Sequence, residues 1–327
     1  MRRVQNGPVR LEGVHHVTLI TGDAPGNVDF YTRVLGLRLV KKTVNQDDPT
    51  VYHLFYADER GSAGSDITFF EYPGATRGKA GPGMIHTVAW RVGSDAALDF
   101  WERRLAGEAE SVERADGVLA FEDFEGVRHE LAVTDVADEP LVAKHPEIPE
   151  EHALQGFDGV RAYAIDPERS RALLEETLDF RPRGEHEWEA RGEQRGGFYA
   201  YDPAPEGRGV PGAGTVHHVA WATTLDEHEA WQRRVVEAGA HPTPVIDRFY
   251  FRSVYFREPN GILFELATLG PGFATDEDPE HLGERLSLPP DFEHLRERIE
   301  PVLTPLPNPT WRKTPVRDSG QASRENP

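Results

Sequence analysis

Four short segments of this 327-residue chain resemble one another: GVHHVTLI from Gly13, GMIHTVAW from Gly83, GVRAYAI from Gly159 and GTVHHVAW from Gly214. A repeat of this kind constrains the fold more than any single motif, because each copy must bury one face against its neighbours. Each segment carries the period-2 pattern of a strand, rich in β-branched and aromatic residues. A helix-start signal follows each one: Asp23 with Pro25, Ser94, Asp166 with Pro167, and Asp226. Val28, Tyr31, Val34 and Leu35 share one helical face, and Gly36, Gly107 and Gly239 stand where a C-terminal cap is expected. Alternating runs come next, including TVYHLFYAD and SDITFFEYP in the first unit, GVLAFED and GVRHELAV in the second, GGFYAYD in the third, and RFYFRSVYFREP and GILFELAT in the fourth. The unit therefore reads β-α-β-β-β, present four times over residues 13 to 268, an α+β architecture. FEGVRHELA resembles EPNGILFELA, as duplication predicts.

The stretch from 135 to 155 is polar and proline-containing and reads as a linker. It separates an N-terminal domain, residues 1–134 with units one and two, from a C-terminal domain, residues 156–270 with units three and four. Residues 271–327 form an acidic extension with one expected helix in DFEHLRERIEPVL and an expected disordered end, TPVRDSGQASRENP.

Composition limits the chemistry. With 36 Lys+Arg against 56 Asp+Glu the formal charge is -20, which argues against a nucleic-acid partner, since phosphate contacts need clustered cations. The absence of cysteine excludes disulfides, thiolate zinc sites, iron–sulfur clusters and a Cys nucleophile. No apolar run reaches the roughly 18 residues of a membrane span, and MRRVQNGPVR lacks the apolar core of a signal peptide, so a cytoplasmic location with no membrane partner is expected.

Aligning the four units places His16 with Thr87, Ala162 and His218 in the opening strand. In the last strand Glu71, Glu130 and Glu265 match, where the third unit has Ala200. On this alignment only units one and four carry both a His and a Glu. Glu265 lies in the apolar strand GILFELAT, where a lone carboxylate pays a large desolvation cost unless it meets a cation. Two imidazoles and one carboxylate, His16, His218 and Glu265, leave open positions on an octahedral ion, the donor set of non-haem Fe(II) oxygenases. Fe(II) or Mn(II) suits these donors, and Zn(II) remains available. Each His-His pair is expected to put one ring on each face of its strand. Glu71 could serve as a fourth ligand, as an acceptor behind the ligands, or as a residue of the pocket rim. Glu130, in a unit without the His, reads as structural. His53, His86 and His129 read as core or hydrogen-bonding residues.

The block HHVTLITGDAPGNVDFYTRVLGLRLVKKTVNQDDPTVYHLFYAD, together with GTVHHVAWA and DRFYFRSVYFREPNGILFELATLGPGF, resembles the vicinal oxygen chelate superfamily of glyoxalases, bleomycin-resistance proteins and extradiol dioxygenases. Within it the chain is most similar to the Fe(II)-dependent ring-cleaving dioxygenases of para-hydroquinones. The resemblance implies βαβββ modules forming paired open barrels. It implies His16, His218 and Glu265 as metal ligands, and His15, Thr18, His217, Arg248 and Tyr255 around the substrate. It further implies O2-dependent, extradiol-type cleavage of a hydroquinone-type or related dihydroxy aromatic, with His217 as acid and base and with Tyr255 and Arg248 stabilising anionic oxygen. Two other functions fit the same superfamily. One is a glyoxalase-type isomerase or lyase, with Zn(II) in a four-ligand site that includes Glu71. The other is a non-catalytic protein that sequesters a small molecule. A homo-oligomer is compatible with any of these.

Overall fold

A computed structural model describes residues 10–307; the segment TPVRDSGQASRENP lies outside them. All four units are present. The first is β1 (Val14–Thr21), α1 (Ala24–Asp29, continued by a π-helical turn at Phe30–Val34), β2 (Arg38–Asn45), β3 (Asp48–Ala57) and β4 (Asp66–Glu71). The second is β5 (Ile85–Val92), α2 (Asp95–Leu105), β6 (Ser111–Ala115), β7 (Val118–Glu122) and β8 (Arg128–Val133). The third is β9 (Phe157–Ala164), α3 (Glu168–Ala172, continued by a π-helical turn at Leu173–Thr177), β10 (Arg181–Gly184), β11 (Glu187–Arg191) and β12 (Gly196–Pro203). The fourth is β13 (Val216–Thr223), α4 (His228–Glu237), β14 (Ile246–Asp247), β15 (Arg252–Arg257) and β16 (Leu263–Thr268).

Local chemistry sets the helix ends. The Asp23 and Ser94 side chains accept from the backbone N–H of Gly26 and Ala97 at 3.1 and 3.2 Å, satisfying donors that the first helical turn leaves free. Gly36, Gly107 and Gly239 close their helices at φ of 72°, 84° and 83°, a left-handed conformation that costs a glycine little.

The units do not pair in chain order. One eight-stranded sheet runs β14-β15-β16-β13-β1-β4-β3-β2, uniting units one and four; the other runs β10-β11-β12-β9-β5-β8-β7-β6, uniting units two and three. The N-terminal and C-terminal halves of the sequence are therefore not the two sheets. The physical reason lies at the edges: in each unit the first strand is an edge with unpaired backbone groups, and joining β1 antiparallel to β13, and β5 to β9, removes four such edges at once.

The helices and both sheets contribute to one shared core, in which Trp90, Trp101, Trp188, Trp221 and Trp231 are fully buried. The sheets differ within. A separate apolar cluster containing Phe55, Tyr250, Phe251 and Phe273 fills part of the first, whereas the corresponding cluster of the second is only Ala89, Phe198 and Ala200.

After β16 the chain returns along β2, where Leu286 bridges Lys42. Where one helix was expected there are two short ones, α5 (Pro290–Glu293) and α6 (Arg296–Ile299), because Ile299 and Leu303 turn in to join the core. Lys41 of β2 is fully buried and pins this segment through Asp276 at 2.8 Å, Glu277, and the face of Tyr250. Among the described residues no helix is long and apolar enough to cross a membrane.

Candidate metal centre

A bulge organises each opening strand. Between β1 and β13 the register slips between Val14 and His16, and again between Thr18 and Leu19 opposite His218 and Val216, so His15 and His217 are the unpaired extra residues. The same slips skip His86 in β5 and Asp158 in β9. A bulge re-aims a side chain, so the two rings of each His-His pair do not take opposite faces as strict alternation requires. Instead they touch: His15 Nδ1 lies 2.9 Å from His16 Nδ1, and His217 Nδ1 lies 2.7 Å from His218 Nδ1.

These contacts orient the rings. His15 Nε2–H donates to the Thr268 carbonyl at 3.2 Å, which leaves its Nδ1 to accept from His16 Nδ1–H and leaves His16 Nε2 with a free lone pair. That nitrogen sits 3.3 Å from His218 Nε2 and 3.2 Å from Glu265 Oε2, and His218 Nε2 sits 2.8 Å from the same oxygen. All three residues are buried. No donor is aligned on either Glu265 oxygen, so the carboxylate is buried without a hydrogen bond. Burial opposes its charge, yet the adjacent His16 and His218 outweigh that effect and hold the carboxyl well below the usual range. Burial lowers His218, overriding the pull of Glu265.

Two imidazole nitrogens and a carboxylate oxygen converging on one buried point, with no other donor on the carboxylate, form a donor set that a divalent cation would satisfy. Ligand atoms bound at about 2.1 Å and at right angles lie about 3 Å apart, close to the spacing seen. The donor set therefore fits a divalent metal.

The register revises two of the sequence alignments. Ala220 pairs with Glu265 and Ala89 with Glu130, two residues past His218 and Thr87; two residues past His16 is Thr18, which pairs with Thr68. Thr68, not Glu71, is thus the first unit's counterpart of Glu265. Glu71 lies three residues further on, on the opposite face, and accepts from Thr304 Oγ1 at 2.7 Å. It is not part of the metal-type cluster, so the four-ligand arrangement has no support in the geometry. In the third unit Gly159 aligns on Ala89, as His218 does on Thr18, so the third counterpart of His218 is Gly159 and not Ala162. The cue was Gly156, whose φ of 90° matches the 80°, 78° and 79° of Gly13, Gly83 and Gly214.

A cavity opens beside the three residues, lined by His16 and His218 and by Arg248, Tyr255, Phe55, Phe70, Tyr250 and Phe251 among others. Arg248 stacks over the Tyr255 ring and pairs with Asp47 at 2.9 Å, while Gln46 Nε2 donates to the Arg248 carbonyl at 2.8 Å. The β2–β3 hairpin of unit one is thereby tied to unit four across the cavity mouth. Burial, then the Glu265 charge, raises Tyr255 and keeps its phenol a donor. His217 is edge-on to Phe70 and is not among the residues that line the cavity; loss of hydration at the ring, then His218, lowers its pKa to about 4. His15 is buried against Phe251, and burial followed by the charge of His16 lowers it to about 3. Thr18 accepts from Thr68 at 2.9 Å.

Sequence reasoning missed the rest of the wall. Thr43 and Asn45 of β2, and His53 and Phe55 of β3, face the cavity at alternate positions, a period-2 signal present in the sequence. Phe251, 5.2 Å from the His16 ring, falls in the alternating run RFYFRSVYFREP, yet the strand begins only at Arg252 and Phe251 reaches the site from the loop before it.

Residues 13–131 and 156–266 match the profile of the Glyoxalase/Bleomycin resistance protein/Dioxygenase superfamily. The chain is 39% identical over 319 residues to a Bacillus subtilis (strain 168) protein named ring-cleaving dioxygenase MhqA, covering 91% of this chain and all of that one (100%). It is 32% identical over 310 residues to chlorohydroquinone/hydroquinone 1,2-dioxygenase of Sphingobium indicum, covering 89% of this chain and 96% of that protein. A crystal structure named for a dioxygenase from Bacillus subtilis superposes with a TM-score of 0.85 at 38% identity, covering 91% of this chain and 98% of that one. With four βαβββ units and a profile match across both halves, the chain belongs to the Glyoxalase/Bleomycin resistance protein/Dioxygenase superfamily.

Proposed function

We propose that the protein is a metal-dependent ring-cleaving dioxygenase of hydroquinone-type or related dihydroxy aromatics, in which His16, His218 and Glu265 hold Fe(II). The observation that carries this reading is the buried triad opening on an aromatic-walled cavity. The names of the relatives support the same activity. Bound there, Fe(II) supplies a route for electrons from ring to dioxygen and acidifies a coordinated phenol.

The remaining work falls to the chain. Phe55, Phe70 and Phe251 give the cavity apolar walls that hold a planar ring and exclude water. The Arg248 guanidinium and the Tyr255 hydroxyl face the same space and stabilise anionic oxygen as it develops on the substrate. His217 is the acid and base, and it takes the phenolic proton by giving up the contact of its Nδ1 with His218 Nδ1. His15 holds His16 by its Nδ1–H, and Thr18 lies beside it on the same strand. Cleavage is of the extradiol type: the bond broken lies beside a hydroxylated carbon, and both atoms of dioxygen enter the ring-opened acid. The test is to load the purified protein anaerobically with Fe(II) and follow oxygen uptake on adding hydroquinone. One O2 consumed per hydroquinone is expected. No uptake by protein confirmed to hold iron overturns the reading.

A further inference from the structure

We propose that His53 is the specificity-determining acceptor for the substrate hydroxyl that does not go to the metal, held in that role by a hydrogen-bond chain through Thr68 to Thr18. This rests on the function proposed above and names what a second hydroxyl would meet. His53 Nε2 lies 2.9 Å from Thr68 Oγ1, and Thr68 Oγ1–H donates in turn to Thr18 Oγ1 at 2.9 Å. A threonine hydroxyl has one proton, so with that proton spent on Thr18 it accepts from His53 Nε2–H. The tautomer is then set, and Nδ1 carries the lone pair.

No described residue donates to that nitrogen, and it is not among the fully buried atoms that lack a partner, so it is reached from the cavity that His53 lines. The rings of Phe55 and Phe70, with centroids 3.9 and 4.4 Å away, clamp the imidazole and fix where that lone pair points. Burial keeps the ring neutral, as an acceptor must be. Among the other polar side chains that line the cavity, Arg248 and the phenol of Tyr255 offer donors, and the carboxylate of Asp47 is engaged by Arg248. A ligand with one ionised and one intact hydroxyl complements that division. A monophenol or its ether leaves Nδ1 without a donor.

The test uses the zinc-loaded protein, kept anaerobic so that no turnover occurs, and compares the dissociation constants of hydroquinone and 4-methoxyphenol by calorimetry. The wild type should favour hydroquinone by about tenfold. His53→Leu should abolish the preference while binding 4-methoxyphenol within about twofold of wild type, and Thr68→Val should reduce it. Nitrogen-15 histidine spectra of the wild type should show His53 as the Nε2–H tautomer, a readout that needs no variant to fold. A preference that survives in His53→Leu, or an Nδ1–H tautomer, overturns the role of His53 and leaves the dioxygenase reading intact. Wild-type protein that holds zinc yet binds neither phenol overturns both.

Discussion

The two eight-stranded sheets share a topology, the same bulges and the same helical backing, yet among the described residues only the first brings a metal-type set of side chains together. In the first, the three equivalent inward positions hold His16, His218 and Glu265; in the second they hold Thr87, Gly159 and Ala200. Where the first sheet has Ala220 beside its carboxylate, the second has Arg161, bound to Glu130 at 3.2 Å and to Asp202 at 3.3 Å, with His86 on the other Asp202 oxygen at 3.1 Å. The second sheet therefore spends its inward charges on one another, while the first leaves a carboxylate and two imidazoles facing a common point. Duplication copied the scaffold, and a handful of inward residues decides which copy does chemistry.

The sharpest way to break the contrast is Glu265→Gln, which leaves the fold and removes the charge that closes the triad. The metal content of the purified protein should fall to background, and oxygen uptake should drop by roughly 10³-fold or more, since a Lewis acid contributes several kcal/mol to the barrier. Retained metal would show that the ion sits elsewhere. The converse change asks whether the second sheet could ever have held the site. A Cβ at Gly159 would lie 2.3 Å from the Phe198 carbonyl oxygen, and that backbone is fixed by the β9–β12 ladder. Gly159→Ala should thus cost about 1–3 kcal/mol in urea unfolding, and a histidine there more. An unchanged midpoint would mean that the second sheet is empty by history and not by sterics.

The triad was legible in the sequence because it repeats. His16 and His218 occupy equivalent places in two copies, and Glu265 is conspicuous as a charge within GILFELAT. Its partners were less so. Glu71 drew attention as a carboxylate in a similar strand, but a shift of one position moves a side chain to the other face, and only the β1–β4 register shows that Thr68 faces inward. The His-His pairs were read with strict alternation, which the bulges at His15 and His217 break. The pairing of unit one with unit four was hidden too, because adjacency in a repeat says nothing about which edges join. Phe251 and the Lys41 lock on Asp276 and Glu277 depend on long-range loop contacts that no local pattern encodes.

A third difference concerns stability. Opposite His16 the first sheet has Asp66, buried with both oxygens unpartnered, where the second has Arg128, partly open to solvent. Burial, and then the charge of Asp58, pushes the Asp66 carboxyl well above the usual carboxylate range. The folded state then binds a proton that the unfolded state has released, so this group makes stability fall as pH rises above about 4. Asp66→Asn removes the dependence. It should stabilise the protein by about 1–3 kcal/mol at pH 8, and the gain should shrink as the pH is lowered toward 4. A gain independent of pH, or a loss, would mean that Asp66 is ionised and satisfied in the folded protein.

The smallest effect expected is that of Glu71→Ala. The side chain is buried on the face of β4 away from the triad, its carboxyl raised by burial against the lowering effect of Thr304, and its visible role is to accept from Thr304 Oγ1 in the C-terminal segment. Losing that bond should cost about 1 kcal/mol. The metal-to-protein ratio should not change, because the ions a three-residue site can hold do not depend on a residue across the sheet. The four-ligand alternative makes the opposite forecast, since an isomerase site that used Glu71 would release metal with it. Metal analysis of this one variant thus separates a first sheet that works with three ligands from one that recruits a fourth through a rearrangement of β4.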